Sequence, residues 1–135
     1  MSEPENIVGV AVVVDDLESN RNLFGDILRS LKMEVITAAD GVEGLTAVRE
    51  RVFAKNPPTI VFLDMMMPEM GGIECATLIR TMGYKGPIMA FSADVSSKTS
   101  ALAKGAGVDH YFLKSTFNRA LAAALINTYC SITVE

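Results

Sequence analysis

Five short runs rich in β-branched or aromatic residues alternate along this chain with stretches of helical period, and no other feature limits the fold as tightly. The runs are 7–14 (IVGVAVVV), 34–38 (EVITA), 59–63 (TIVFL), 87–91 (PIMAF) and 110–113 (HYFL). The first, third and fourth are apolar throughout, as in central parallel strands covered on both faces. Between them, Leu23, Phe24, Ile27, Leu28 and Leu31 form one helical stripe, and Val42, Leu45, Val48 and Val52 a second. Ile73, Ala76, Ile79 and Met82 form a third, and Phe117, Leu121, Leu125 and Tyr129 close the chain. The segment 95–104 is poorer, with Val95 and Leu102 its only large apolar side chains. Five strand–helix units in strict alternation predict a doubly wound α/β fold, a parallel sheet with right-handed crossovers and helices on both faces.

The rest of the composition excludes several classes. No run approaches the ~18 consecutive apolar residues of a membrane span, and the start MSEPENIVG lacks the pattern of a secretory signal. A cytoplasmic protein with no membrane contact is expected. The net charge is −4 and no basic cluster tracks a phosphate backbone, so direct nucleic-acid binding is not expected. Cys75 and Cys130 lie far apart in helix-like segments and read as buried or partly buried reduced thiols. With 135 residues, no linker and no repeat, the chain is expected to form one domain over 1–135.

In an open parallel sheet, ligands sit beyond the carboxyl ends of the strands. The first strand ends in Asp15-Asp16, the third in Asp64, the fourth in Ser92 and the fifth in Lys114. The second ends in Ala38-Ala39, and a place at the sheet margin would explain its lack of reactive groups. Three carboxylates, a hydroxyl and an amine therefore meet along one edge. Crowded carboxylates repel and need a cation to remain ionised at neutral pH. Oxygen ligands without cysteine or histidine favour a hard ion, and Mg²⁺ suits a shallow, hydrated site. Beside a free lysine and a hydroxyl, such a site is equipped to stabilise a transferred phosphoryl group. Asp64, central among the strand ends, is the candidate nucleophile.

The stretches VVVDD, FLDMMMPEMGG, AFSAD and GVDHYFLKS occur here in the order and approximate spacing of response-regulator receiver domains, and the chain resembles that family from Ile7 to Tyr129. The resemblance implies a flavodoxin-like five-stranded sheet of order 2-1-3-4-5 with five helices and a domain core over about 7–129. It implies a phospho-accepting Asp64, and Mg²⁺ held by Asp15, Asp16, Asp64 and the backbone carbonyl of Met66. Ser92 is implied as the hydroxyl that contacts the phosphoryl group, Lys114 as its ion-pairing amine, and Tyr111 as the aromatic that reorients with Ser92. A histidine kinase or histidine phosphotransfer protein would be the phosphodonor and a downstream protein the target. The chain would act as a switch that assists its own phosphorylation, not as a turnover enzyme. It is most similar to receivers of hybrid kinases or to stand-alone receivers. One departure is clear: receivers usually follow the lysine with a cis proline, and this chain has Ser115. A cis bond before serine costs about 2.5–4 kcal/mol, so a trans bond and a rearranged loop are expected, with Lys114 still reaching Asp64.

Each residue has a simpler reading. Asp15-Asp16 could cap the following helix, Asp64 could be a turn carboxylate before Pro68, and Ser92 and Lys114 could be ordinary strand-end residues. Tyr111 could be a half-buried sheet residue, and His110 reads as an ordinary exposed side chain. The run Met65-Met66-Met67 lacks the cysteine or histidine that a soft-metal site would need and reads as loop packing. Only the joint placement favours chemistry. Among other functions, a Mg²⁺-dependent phosphohydrolase commonly carries a second acid two residues after its nucleophile, where this chain has Met66. A flavin or nucleotide module would want a Gly/Ser/Thr-rich loop in place of DDLESN. A pure scaffold would leave the acidic and basic set unused.

Overall fold

A computed structural model describes residues 7–93 and 96–134. Strands β1 (Gly9–Val14), β2 (Met33–Ala38), β3 (Ile60–Asp64), β4 (Ile88–Ser92) and β5 (His110–Leu113) alternate with helices α1 (Glu18–Ser30), α2 (Gly41–Phe53), α3 (Gly72–Thr81), α4 (Ser97–Gly105) and α5 (Arg119–Tyr129). All strand pairs are parallel and the order is β2-β1-β3-β4-β5. The expected architecture is therefore present, with the silent second strand at the margin. Strand ends move by a residue or two: Met33 joins β2, and β3 and β4 each run far enough to include Asp64 and Ser92.

The central strands are buried on both faces and divide their side chains between two cores. Ala11, Val13, Ile60, Phe62, Met89, Phe91 and Phe112 face one side, where Phe24 and Leu28 of α1 and Ala122, Leu125 and Ile126 of α5 meet them. Phe24 stacks on Phe117 with centroids 3.9 Å apart and lies 4.5 Å from Phe91, so an aromatic cluster fills this layer. Val12, Val14, Val61, Leu63, Ile88 and Ala90 face the other side, against Val48 of α2, Ala76 and Ile79 of α3 and Ala103 of α4. Three members of the helical stripes miss the core: Leu23 is 53% exposed, Val42 57% and Tyr129 37%. Leu23 and Val42 lie at the flank of a stripe that is narrower than the periodicity suggested, and Tyr129 is the last residue of α5. Phe117 packs in the core but precedes α5, at the end of a short 3-10 turn over Lys114–Thr116. Cys75 is buried and Cys130 half-buried, both as free thiols.

Helix α4 is held unevenly. Ser96 caps its start by accepting from the Thr99 N–H at 3.1 Å. Along its length only Ala103 is buried, and Leu102 is 53% exposed; Val95 lies outside the described residues. Its far end runs into Gly107, whose carbonyl accepts from Arg80 Nε at 3.0 Å and from a second Arg80 nitrogen at 2.8 Å. The same guanidinium bonds the Tyr84 and Gly86 carbonyls and the Asp109 carboxylate, tying α3 to the turns that lead into β4 and β5. Gly107 has φ +103°, and a Cβ there would lie 2.6 Å from Arg80 Cγ, so both backbone and space require glycine. Helices with few buried apolar contacts open most readily. Amides of α4 should therefore exchange with deuterium faster than those of α1, which buries Phe24 and Leu28. Equal or faster exchange in α1 would contradict this account of where the fold is loosest.

Candidate functional site

The strand pattern that builds the aromatic core also places the charged groups. Side chains alternate along a strand, so Asp15 continues the parity of Val13, Asp64 that of Phe62 and Lys114 that of Phe112. All three belong to the face that packs on α1 and α5. Ser92 instead continues the parity of Ala90, and Tyr111 packs half-buried against the core on the α4 side. Asp15, Asp64 and Ser92 are at most 1% exposed, whereas Asp16 is exposed.

Local hydrogen bonds fix the acids. The Leu17 N–H donates to Asp15 Oδ1 at 2.9 Å, and the Met66 N–H donates to Asp64 Oδ1 at 3.0 Å. Asp15 therefore bonds Leu17, the residue just before α1, whose own side chain makes no capping hydrogen bond. The capping role is only partly realised. Lys114 Nζ lies 3.4 Å from Asp15 Oδ2 and 3.5 Å from Asp64 Oδ2, so one ammonium bridges the two buried acids. It also sits 5.5 Å over the Phe91 ring, which favours the cation from below. The Lys114–Ser115 bond is trans, for the described residues contain no cis peptide. The chain then enters the short 3-10 turn, in which the Thr116 hydroxyl donates to the Leu113 carbonyl at 2.6 Å. The expected trans bond and the expected reach of Lys114 are both present.

The loop after β3 needs one glycine. A Cβ on Gly72 would lie 2.6 Å from the Asp64 carbonyl oxygen and 2.6 Å from Met65 Cα, so α3 could not begin this close to Asp64 with any other residue. Met65 and Met67 are buried and pack the loop from beneath, as expected, while the Met66 side chain is 69% exposed.

The donor set suits a hard divalent cation. One carboxylate oxygen from each of Asp15, Asp16 and Asp64 lies within 4.8 Å of the others. Asp15 Oδ2 is buried and accepts no hydrogen bond from the described residues, although it is ion-paired with Lys114. A buried oxygen of this kind is costly unless a cation meets it. Three acids against one ammonium leave an excess of negative charge that a divalent ion would offset. Mg²⁺ fits.

Two arginines carry no signature in the sequence, Arg21 beside the site and Arg80 at the opposite edge of the sheet. Arg80 and Arg21 each bond backbone carbonyls, and which carbonyl an arginine meets is decided by tertiary structure alone. The parity of Val13 with Asp15, Phe62 with Asp64 and Phe112 with Lys114 was readable and would have placed all three charges on one face.

Known proteins share this arrangement of elements. Residues 11–126 match the family model described as the response regulator receiver domain. Over 106 residues the chain is 34% identical to the CAI-1 autoinducer sensor kinase/phosphatase CqsS of Vibrio cholerae, covering 76% of this chain and 15% of that protein. It is 28% identical over 116 residues to protein PilG of Pseudomonas aeruginosa, covering 84% of this chain and 82% of PilG. The chain thus spans a small part of the sensor kinase and most of PilG. Among solved structures, the receiver domain of the histidine kinase CKI1 from Arabidopsis thaliana, complexed with Mg²⁺ and BeF₃⁻, is similar at a TM-score of 0.79 and 29% identity. That alignment covers 93% of this chain and 94% of the other.

Burial raises the Asp64 pKa from 3.8 to about 6; the Met66 N–H and Lys114 oppose the rise, and Asp15 and Asp16 add to it. The folded state therefore keeps a proton that the unfolded chain has lost, and stability falls as pH rises from about 4 to 6. The cost at neutral pH is roughly 3 kcal/mol. Without Mg²⁺, Asp64→Asn should be more stable than the wild type at pH 7, by roughly 1–3 kcal/mol after allowing for the lost Lys114 pairing. It should also lose most of the slope between pH 4 and 6. Urea unfolding at the two ends of that range is the check, and an Asn variant less stable at pH 7 would contradict the assigned burden.

Proposed function

This chain belongs to the response regulator receiver domain family of two-component signalling, and we propose that it works as a single receiver unit whose Asp64 accepts a phosphoryl group from a partner phosphohistidine. The partner is a histidine kinase or a histidine phosphotransfer protein, and the phosphorylated form acts on a downstream protein through its surface. The observation that carries this reading is the bridging of two buried strand-end carboxylates by Lys114, beside a third acid. No structural need explains such a cluster, because each buried acid costs stability.

The residues divide the work. An Asp64 carboxylate oxygen attacks the phosphorus; the P–N bond to the donor imidazole breaks, its electron pair stays on that nitrogen, and an aspartyl phosphate forms. The Met66 N–H holds Asp64 Oδ1 and so orients the nucleophile. With its pKa raised only to about 6, Asp64 is mostly ionised at neutral pH and available to attack. Lys114 gives up its pairing with the Asp64 carboxylate and takes up a phosphoryl oxygen, and the Ser92 hydroxyl donates to another. Asp15, Asp16, Asp64 and the Met66 carbonyl would hold Mg²⁺, which when bound supplies positive charge to the oxygens of the transferring group. The complex of the similar Arabidopsis receiver domain with Mg²⁺ and BeF₃⁻ supports Mg²⁺ as the ion.

Phosphorylation adds a charge of roughly −1.5 to −2. Drawing Ser92 toward it would release the α4 side of the sheet, where Tyr111 sits beside the least buried helix, and Tyr111 would move inward with it. The site turns over only as part of the switch, since Met66 stands where a phosphohydrolase would carry its second acid. Free thiols at Cys75 and Cys130 fit a reducing compartment such as the cytoplasm, and none of the helices among the described residues is long and apolar enough to cross a membrane.

Incubation with Mg²⁺ and acetyl phosphate tests the reading. The wild type should take up about one phosphoryl group per chain in a base-labile linkage, and Asp64→Asn should take up none. Lys114→Ala should still be labelled but fail to transmit the change to α4. Undiminished labelling of Asp64→Asn, or continuous phosphate release at enzymatic rates, would overturn the proposal.

A further inference from the structure

Arg21 occupies the beginning of α1, where the helix dipole disfavours a cation. It is half-buried and forms no ion pair among the described residues. Its placement is explained by one hydrogen bond: a guanidinium N–H donates to the backbone carbonyl of Asp15 at 2.8 Å. That carbonyl lies past the sheet, for the ladders on both sides of β1 end at Val14, opposite Ala38 and Leu63. The other polar groups of Asp15 are held by different partners. Its N–H donates to the Ala38 carbonyl at 3.1 Å, its Oδ1 accepts from Leu17, and its Oδ2 faces Lys114. Arg21 thus supplies the partner that a neighbouring strand would have given, at a residue with 0% exposure.

We infer that Arg21 is a positioning residue for the cation site: by holding the Asp15 carbonyl it fixes the turn between β1 and α1, aims the Asp15 and Asp16 carboxylates at Asp64, and so sets the affinity for Mg²⁺. The inference rests on the reading of Asp15, Asp16 and Asp64 as the Mg²⁺ ligands. Charge and geometry make opposite demands here. A guanidinium beside a cation site repels the ion, so by charge alone its removal would tighten binding. If Arg21 acts through position, its removal weakens binding, because the turn relaxes around an unpartnered carbonyl.

Calorimetric titration of the unphosphorylated protein with Mg²⁺ separates the two. Arg21→Met should weaken binding about tenfold, the size typical of losing a residue that orients a metal ligand. Arg21→Lys keeps the charge and one donor in poorer geometry, and should fall between the two. In labelling by acetyl phosphate, the Mg²⁺ concentration for half-maximal rate should rise in parallel, while the rate at saturating Mg²⁺ stays within about twofold. Unchanged or tighter Mg²⁺ binding by Arg21→Met overturns the inference. Should that variant fail to fold by thermal denaturation, Arg21→Lys decides, and binding equal to or tighter than wild type sinks the idea. A wild type that binds no Mg²⁺, or binds it equally well after Asp16→Ala, would instead sink the ligand assignment beneath it.

Discussion

Two carboxylates buried side by side at the carboxyl edge of a sheet are an unfavourable arrangement, and the neighbourhood of this edge is organised around making it tolerable. Asp15 and Asp64 have almost no access to water, so their mutual repulsion is poorly screened. Lys114 supplies one counter-charge to both, at 3.4 and 3.5 Å. Backbone N–H groups of Leu17 and Met66 supply the remaining stabilisation. The balance stays incomplete: Asp64 keeps a raised pKa, and Asp15 Oδ2 accepts no hydrogen bond from the described residues. An incompletely neutralised site is poised to gain from a cation, and from any reaction that changes its charge.

The fold delivers this site through the alternation of the strands. The parity that sends Val13, Phe62 and Phe112 into the aromatic core sends Asp15, Asp64 and Lys114 to the same face one step beyond. The Phe91 ring, packed beside the stack of Phe24 on Phe117, lies beneath the ammonium. The opposite face is built differently. There α4 buries only Ala103, and Tyr111 is half-buried. A tightly packed side that holds the charges and, on the other face, one thinly packed helix that can respond are the two parts a switch requires.

Much of this was legible in the residues. The doubly apolar runs matched central parallel strands, and the polar residues at the ends of four of the five strands named Asp15, Asp16, Asp64, Ser92 and Lys114 before any geometry was known. The serine after Lys114 correctly signalled a trans bond, because the cost of a cis bond depends on local chemistry alone. What failed to show depends on distant partners. Leu23 and Val42 have the right spacing but fall outside the contact width of their helices, which only the neighbouring elements determine. Strand limits slipped by a residue or two because ladders extend to wherever a neighbour still offers a partner. Arg21 and Arg80 drew no reading from the sequence, since a guanidinium's choice of backbone carbonyl has no sequence pattern.

The central claim is that Asp64, alone among the acids of this edge, carries the covalent chemistry. Borohydride reduction of the acetyl-phosphate-treated protein would convert an aspartyl phosphate to homoserine, and peptide mass spectrometry would locate the change. The account predicts homoserine at position 64, dependent on Mg²⁺ and absent from untreated protein. Homoserine at position 15 or 16, or a phosphoryl group found on His110 with Asp64 unaltered, would contradict it.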